Sequence, residues 1–191
     1  MSRELFGGAM AMRIPADFID ARFVSIAFYP IEFRQVPDNQ EVYVHKNSED
    51  SLIVELVEML PGKDLVCLRE HFDEIAECNQ AEQVKTIEPK QLPLLKGISD
   101  PHSVLAITGT MVMGKRQRKM NESSQYPSDS KLAAVLLVLV RLPVRSTDLL
   151  ITCNCPFDQP NVDSVDLWAK FNSFISDSIS SLEIRDWTLF G

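Results

Sequence analysis

Leu132-Ala133-Ala134-Val135-Leu136-Leu137-Val138-Leu139-Val140-Arg141-Leu142 decides the fold, because ten of its eleven residues are apolar. The run is far shorter than the roughly 20 residues a helix needs to cross a bilayer. It reads instead as a strand apolar on both faces, and so one that lies at the centre of a sheet with both sides covered. The segment 147–155 (TDLLITCNC) continues the strand pattern after it, and 103–113 (SVLAITGTMVM) precedes it. Between them, 115–131 (KRQRKMNESSQYPSDSK) is polar and charged, an exposed hairpin connection with no core of its own.

Farther out, 9–14 (AMAMRI) and 41–46 (EVYVHK) are short alternating or β-branched segments bounded by Pro or polar residues, as strands are. The segment 51–60 (SLIVELVEML) fits either a strand or a helix, and its β-branched pair and the stop at Pro61-Gly62 favour a strand. Asp64 is a candidate N-cap for an amphipathic helix with Leu65, Leu68, Phe72 and Ile75 on one stripe. A last helix is expected after Asp163 or Ser164, with Val165, Trp168, Ile175, Ile179 and Leu182 inward, and the terminal Trp187, Leu189 and Phe190 are expected to dock. Strand runs interrupted by isolated amphipathic helices predict an α/β (α+β) fold, a central mostly antiparallel sheet flanked by helices on its faces.

A chain of 191 residues with 45% apolar residues fits one domain, 1–191, and needs no disulfide or metal staple. The net charge of -8 disfavours direct nucleic-acid binding, which relies on Lys and Arg neutralising phosphates, and fits a basic protein partner better. No secretory leader or membrane span is read from the sequence, so the expectation is a nuclear or cytosolic monomer away from membranes. Of Cys67, Cys78, Cys153 and Cys155, three lie inside apolar patterns where a reduced thiol packs as a small hydrophobe.

Catalytic machinery is not visible. Gly109-Thr110-Met111-Val112-Met113-Gly114-Lys115 matches the first seven positions of a phosphate-binding loop, but Arg116 stands where Ser or Thr should reach Mg²⁺, and Met-Val-Met reads as strand. Cys153-Asn154-Cys155 lacks a second ligand pair for a metal, and His45, His71 and His102 follow no metal-ligand or triad spacing. The expectation is no enzyme, no cofactor and no metal. The cluster 115–119 (KRQRK) is either a nuclear-localisation or anion-binding patch or a solvated loop.

The segment Val36-Pro37-Asp38-Asn39-Gln40-Glu41-Val42 is the most unusual on the chain. Pro37 fixes one φ angle, Asp38 and Asn39 are turn formers, and Glu41 leads into a strand, so both carboxylates are expected to be displayed from a rigid frame. Pre-ordered charges lose less entropy on docking to Lys or Arg, although turn chemistry alone would also account for Pro-Asp-Asn.

The same segment, extended to Arg34-Gln35, belongs to an ordered set that resembles the Ran guanine nucleotide release factors, the Mog family of nuclear-transport proteins. The set comprises Leu5-Phe6-Gly7-Gly8-Ala9, the Pro37 loop, Ser51-Leu52-Ile53-Val54-Glu55-Leu56, His71-Phe72-Asp73, Arg141-Leu142-Pro143 with Thr147-Asp148-Leu149-Leu150, and Leu189-Phe190-Gly191. The resemblance implies a fold like that of the photosystem PsbP proteins. It implies binding of the GTPase Ran in its GTP-bound or nucleotide-free form, promotion of guanine-nucleotide release, support of nuclear protein import, and residence in the nucleus with cytoplasmic exchange. It places Ran contacts at Asp38, Glu41 and Asp20, with Pro37 and Asn39 shaping the loop. The alternative of a different class is an interaction adaptor with this fold and no effect on nucleotide. The chain departs from the family between Asp20 and Arg34, where 21–33 replaces a shorter connection. This segment is a surface insertion, an extra strand or a translated intron, and it leaves the distance from Asp20 to the Asp38 loop unconstrained.

Overall fold

The structure is a computed structural model, which describes residues 2–23, 36–112, 132–157 and 166–190. In chain order the strands are β1 (Ser2–Leu5), β2 (Met10–Arg13), β3 (Phe18–Asp20), β4 (Gln40–His45), β5 (Ser51–Glu58), β6 (Glu82–Thr86), β7 (Lys90–Gln91), β8 (Ser103–Val112), β9 (Leu132–Leu142), β10 (Thr147–Phe157) and β11 (Glu183–Ile184). Two α-helices, α1 (Asp64–Cys78) and α2 (Leu167–Asp177), complete the described elements together with short 3-10 turns. The central sheet runs β3-β4-β5-β10-β9-β8-β6, with β7 also on β8, and all its pairings are antiparallel.

β9 takes the central place its composition requires. Val138 lies opposite Ile151 of β10 on one side and Ala106 of β8 on the other. Alternation sends Ala134, Leu136, Val138 and Val140 to one face and Ala133, Val135, Leu137 and Leu139 to the other. Each face has its own cover, so neither set meets water. Burying a side chain of this size stabilises the fold by about 1.5–3 kcal/mol, which is why a strand with no polar face sits inside rather than at an edge.

On one face α1 packs Cys67, Leu68, Phe72 and Ala76 against β8 and β9. Leu68, Phe72 and Ile75 of the predicted stripe pack inward, whereas Leu65 is 43% exposed, because the first helical turn lies over the Arg141 guanidinium, which takes Asp64 and Cys67 as partners. Asp64 is likewise not the N-cap. Lys63 holds that position without a side-chain bond, while the Asp64 carboxylate accepts from Ser103 Oγ at 2.6 Å and Arg141 Nη1 at 3.1 Å.

The opposite face is covered by more than a helix. A three-stranded sheet, β1-β2-β11, supplies Leu5, Met10, Met12 and Ile184, and α2 adds Leu167 and Phe171. Asp166 caps α2, its Oδ1 accepting from the Ala169 N–H at 3.0 Å. Asp163, Ser164 and Val165 lie outside the described residues. Trp168 and Ile175 are only partly buried, and Ile179 and Leu182 follow the helix rather than belonging to it. The terminal Trp187, Leu189 and Phe190 do dock on this core, and Arg145 stacks its guanidinium 5.0 Å from the Trp187 ring centre.

The phosphate-loop reading ends at Gly109, which lies within β8 and opposite Thr86 of β6. A Cβ there would sit 2.4 Å from the Lys85 carbonyl oxygen and 3.1 Å from Phe72. The glycine permits close strand approach. Gly109→Ala is expected to destabilise by about 1–3 kcal/mol through forced displacement of β6, measured as a lower urea midpoint. Cys67, Cys153 and Cys155 are buried and Cys78 exposed, with Cys153 and Cys155 on the same face of β10 and their sulfurs 4.0 Å apart. Residues 113–131, including the basic cluster 115–119, lie outside the described residues, and β8 and β9 on either side of them pair antiparallel up to Val112 and Leu132.

Candidate functional site

The Pro37 loop is a tight turn clamped to β5. The Gln40 N–H donates to the Pro37 carbonyl at 2.9 Å, closing the turn over Asp38 and Asn39. Asn39 then anchors it from both its groups: its side-chain Nδ2 donates to Leu56 O at 2.9 Å, and its carbonyl accepts from Leu56 N at 2.9 Å. Gln40 adds a 2.7 Å bond to Glu55. Asp38 is left at the exposed tip.

Glu41 is placed differently from the expectation. β4 alternates, so Glu41 and Tyr43 point inward while Gln40, Val42 and Val44 are less buried, and Glu41 is only 3% exposed. Its Oε1 accepts from the Phe6 backbone N–H at 2.7 Å, and its Oε2 accepts from Arg22 Nη2 at 2.5 Å. A buried carboxylate needs such partners. Phe6 has φ of 50°, an uncommon value for a bulky residue, and with Gly7 and Gly8 at positive φ it turns the chain from β1 into β2. Glu41 therefore fixes that turn as well as carrying charge.

Asp20 comes to the same place. β3 pairs with β4 so that Asp20 lies opposite Tyr43, and the turn Ala21–Phe23 brings Arg22 back over Asp20. Arg22 donates to Asp20 through its backbone N–H at 2.8 Å, Nε at 3.0 Å and Nη2 at 2.7 Å. Arg22 thus bridges Asp20 and Glu41. Residues 24–35, most of the departure from the family pattern, lie outside the described residues. Arg22 has no place in the sequence reading. Its only signal was the two-residue spacing from Asp20, which is too common to single out.

Arg22 and Glu41, but not Asp20, border an open cleft of about 320 Å³ whose other walls come from Phe6, Pro37, Asp38 and Leu189. Burial pushes the Asp20 carboxyl upward, but the side-chain and backbone bonds from Arg22 outweigh it and hold the group below the usual Asp range. Arg22 is raised in turn, first by its bonds to Asp20. Burial, with the Glu41 and Asp20 charges behind it, pushes the Tyr43 phenol up to about 12. The neutral phenol is favoured in the folded protein, so its contribution to stability is complete below the ordinary value of 10 and lost as pH rises through about 12. Absorbance at 295 nm is expected to show Tyr43 ionising near that pH. A phenol that titrates near 10 while the fold is intact would show the ring to be open to water.

A second polar cluster lies behind α1. Asp148, fully buried, accepts from Arg141 Nε at 3.0 Å through Oδ1, while its Oδ2 accepts from the Leu60 N–H at 3.1 Å and lies 3.1 Å from His71 Nε2. Arg141 also donates to the carbonyls of Leu60 and Gly62. Asp148 opposes the burial of the guanidinium and keeps its pKa raised. Among the buried side-chain nitrogens and oxygens of this cluster, His71 Nδ1 alone lacks a hydrogen-bond partner, with Glu74 Oε2 4.0 Å away. The cluster ties the β5 to α1 connection onto the β9-β10 hairpin and is structural. Among the described residues no group of three or more His, Cys, Asp or Glu side chains could hold a metal ion.

Segments far apart in sequence therefore meet at one cleft: Phe6 and Gly7, the Pro37 turn, and Leu189. A sequence model of the family described as Ran-interacting Mog1 protein matches residues 3–156. The chain is 30% identical over 194 residues to the Ran guanine nucleotide release factor of Danio rerio, covering 99% of this chain and 90% of that protein. It is 33% identical over 159 residues to the Ran guanine nucleotide release factor of Homo sapiens, covering 80% and 74%. In fold it is similar to the crystal structure of the Saccharomyces cerevisiae Ran-binding protein Mog1p, with a TM-score of 0.71 at 20% identity over 100% of this chain and 98% of that one. The chain belongs to the Ran-interacting Mog1 protein family.

Proposed function

We propose that this protein, acting as a single Ran-binding unit, binds Ran through the cleft of Asp38 and Glu41, with Asp20 joined to it through Arg22, and promotes release of its guanine nucleotide. The observation that carries the reading is convergence. Three of the segments by which the chain resembles release factors, at Phe6-Gly7, the Pro37 turn and Leu189, border one open cleft together with Asp38 and Glu41, on an acidic protein of net charge -8. Pro37 and Asn39 shape the turn, and Asp38, Glu41 and Asp20 supply the charge.

A GTPase holds its nucleotide with a Lys, backbone N–H groups and Mg²⁺ around the phosphates. Carboxylates docked beside that site compete for the cations that support it and repel the phosphates, which raises the free energy of the nucleotide-bound state. Linkage makes this reciprocal: nucleotide weakens docking by the factor by which docking weakens nucleotide. Release is then a binding activity that needs no covalent step. The protein takes part in nuclear protein import, resides in the nucleus with cytoplasmic exchange, acts as a monomer, and engages Ran in its GTP-bound or nucleotide-free form.

The test is dissociation of a fluorescent guanine nucleotide from purified Ran. Addition of this protein is expected to raise the off-rate, and the effect is expected to saturate with its concentration. Binding to Ran with an unchanged off-rate would make the protein an adaptor, and no binding would remove the reading altogether.

A further inference from the structure

We infer that Arg22 is an internal stand-in for the partner's cation: its guanidinium occupies the carboxylate pair Asp20 and Glu41 in the free protein and must swing away before a Lys or Arg of the partner takes the same oxygens. The inference rests on the reading of that pair as partner-binding. Its physical basis is the accounting of acceptor sites. Glu41 Oε1 is committed to the Phe6 N–H, which leaves Oε2 as the charge facing the cleft, and Arg22 Nη2 caps it at 2.5 Å. The same Nη2 caps Asp20 Oδ2 at 2.7 Å. The side chains of Asp20 and Glu41 are 13% and 4% exposed, while that of Arg22 is 49% exposed. The cation is the half of the cluster that faces water.

Two features make the occupancy reversible. Arg22 lies on the short turn Ala21–Phe23 beyond the last β3 residue, so moving its side chain unpairs no strand. The Arg22 guanidinium is half exposed, so water screens it and solvates it when it leaves, the pair adds little net stability, and the free protein opens a fraction of the time. A ligand that binds only the open form has its apparent affinity reduced by that fraction. Removing the internal cation is expected to tighten binding of an external one by about three- to tenfold, the range for an opening of roughly ten to thirty per cent.

The first experiment needs no Ran. N-acetyl-arginine amide is titrated at constant ionic strength into ¹⁵N-labelled protein, and the Phe6 amide resonance, bonded to Glu41, reports occupancy. Arg22→Gln keeps a neutral hydrogen-bond donor beside Glu41 and preserves the fold if Arg22→Ala does not. Arg22→Lys keeps the charge. Arg22→Gln is expected to bind the probe three- to tenfold tighter than wild type and Arg22→Lys to stay near wild type. Equal or weaker probe binding by Arg22→Gln overturns the inference. The same variants are then titrated with Ran. Tighter Ran binding by Arg22→Gln supports the inference, and weaker binding overturns it by making Arg22 part of the contact or its scaffold. Tightened probe binding with no Ran binding by any variant upholds the internal cation and removes Ran as its competitor.

Discussion

Asp148→Ala is expected to lower the stability of the protein by about 3–5 kcal/mol, the range for breaking a buried ion pair from one side. The cause is the charge left behind. Arg141 is 4% exposed and would keep its guanidinium inside the fold with the Leu60 and Gly62 carbonyls and the half-exposed Asp64 carboxylate at its Nη atoms, but with no partner at Nε. The Leu60 N–H and His71 Nε2 would lose an acceptor at the same time. With a urea m-value of about 2 kcal/mol/M, the midpoint should fall by roughly 1.5–2.5 M with the slope unchanged. Replacing both Asp148 and Arg141 by apolar residues should cost less than the sum of the single changes, because no uncompensated charge remains. A midpoint shift under about 0.3 M for Asp148→Ala would mean that water and the existing Asp64 contact are enough to serve the guanidinium.

That cluster also shows where sequence reading stops. β9 was legible because burial on both faces leaves an unbroken apolar run, and the hairpin partners β8 and β10 followed from the same logic. β6 and β7 were not legible: every residue of Glu82–Thr86 is exposed, so an edge strand held by backbone bonds to β8 leaves no apolar period to read. Asp64 looked like a helix cap because a carboxylate at a helix start usually is one, and only the long-range approach of Arg141 assigns it elsewhere. Likewise, the Pro37 turn was legible locally, through Pro, Asp and Asn. The direction of Glu41 depends on the phase of β4 against Phe6, a residue 35 positions away, which local chemistry does not encode.

That burial separates the effects of the two loop carboxylates on any partner. Asp38→Lys changes an exposed tip, so its stability should stay within about 0.5 kcal/mol of wild type, as for most surface changes. Its effect should fall on Ran association, slowing the on-rate most at low salt. Glu41→Gln reaches further. Its remaining carbonyl still accepts from the Phe6 N–H, but the charge facing Arg22 is gone, and with the guanidinium half exposed that pair contributes about 0.5–1 kcal/mol. If Glu41 meets the partner's cation, truncating one side of a desolvated charge pair costs a further 2–5 kcal/mol in binding, on the order of a 30-fold or greater loss of Ran affinity. The two measurements are a urea midpoint and a Ran titration carried out well below it. Glu41→Gln that loses stability yet binds Ran as tightly as wild type would reduce Glu41 to a clamp on the Phe6 turn, and the docking charge would then belong to Asp38 and Asp20 alone.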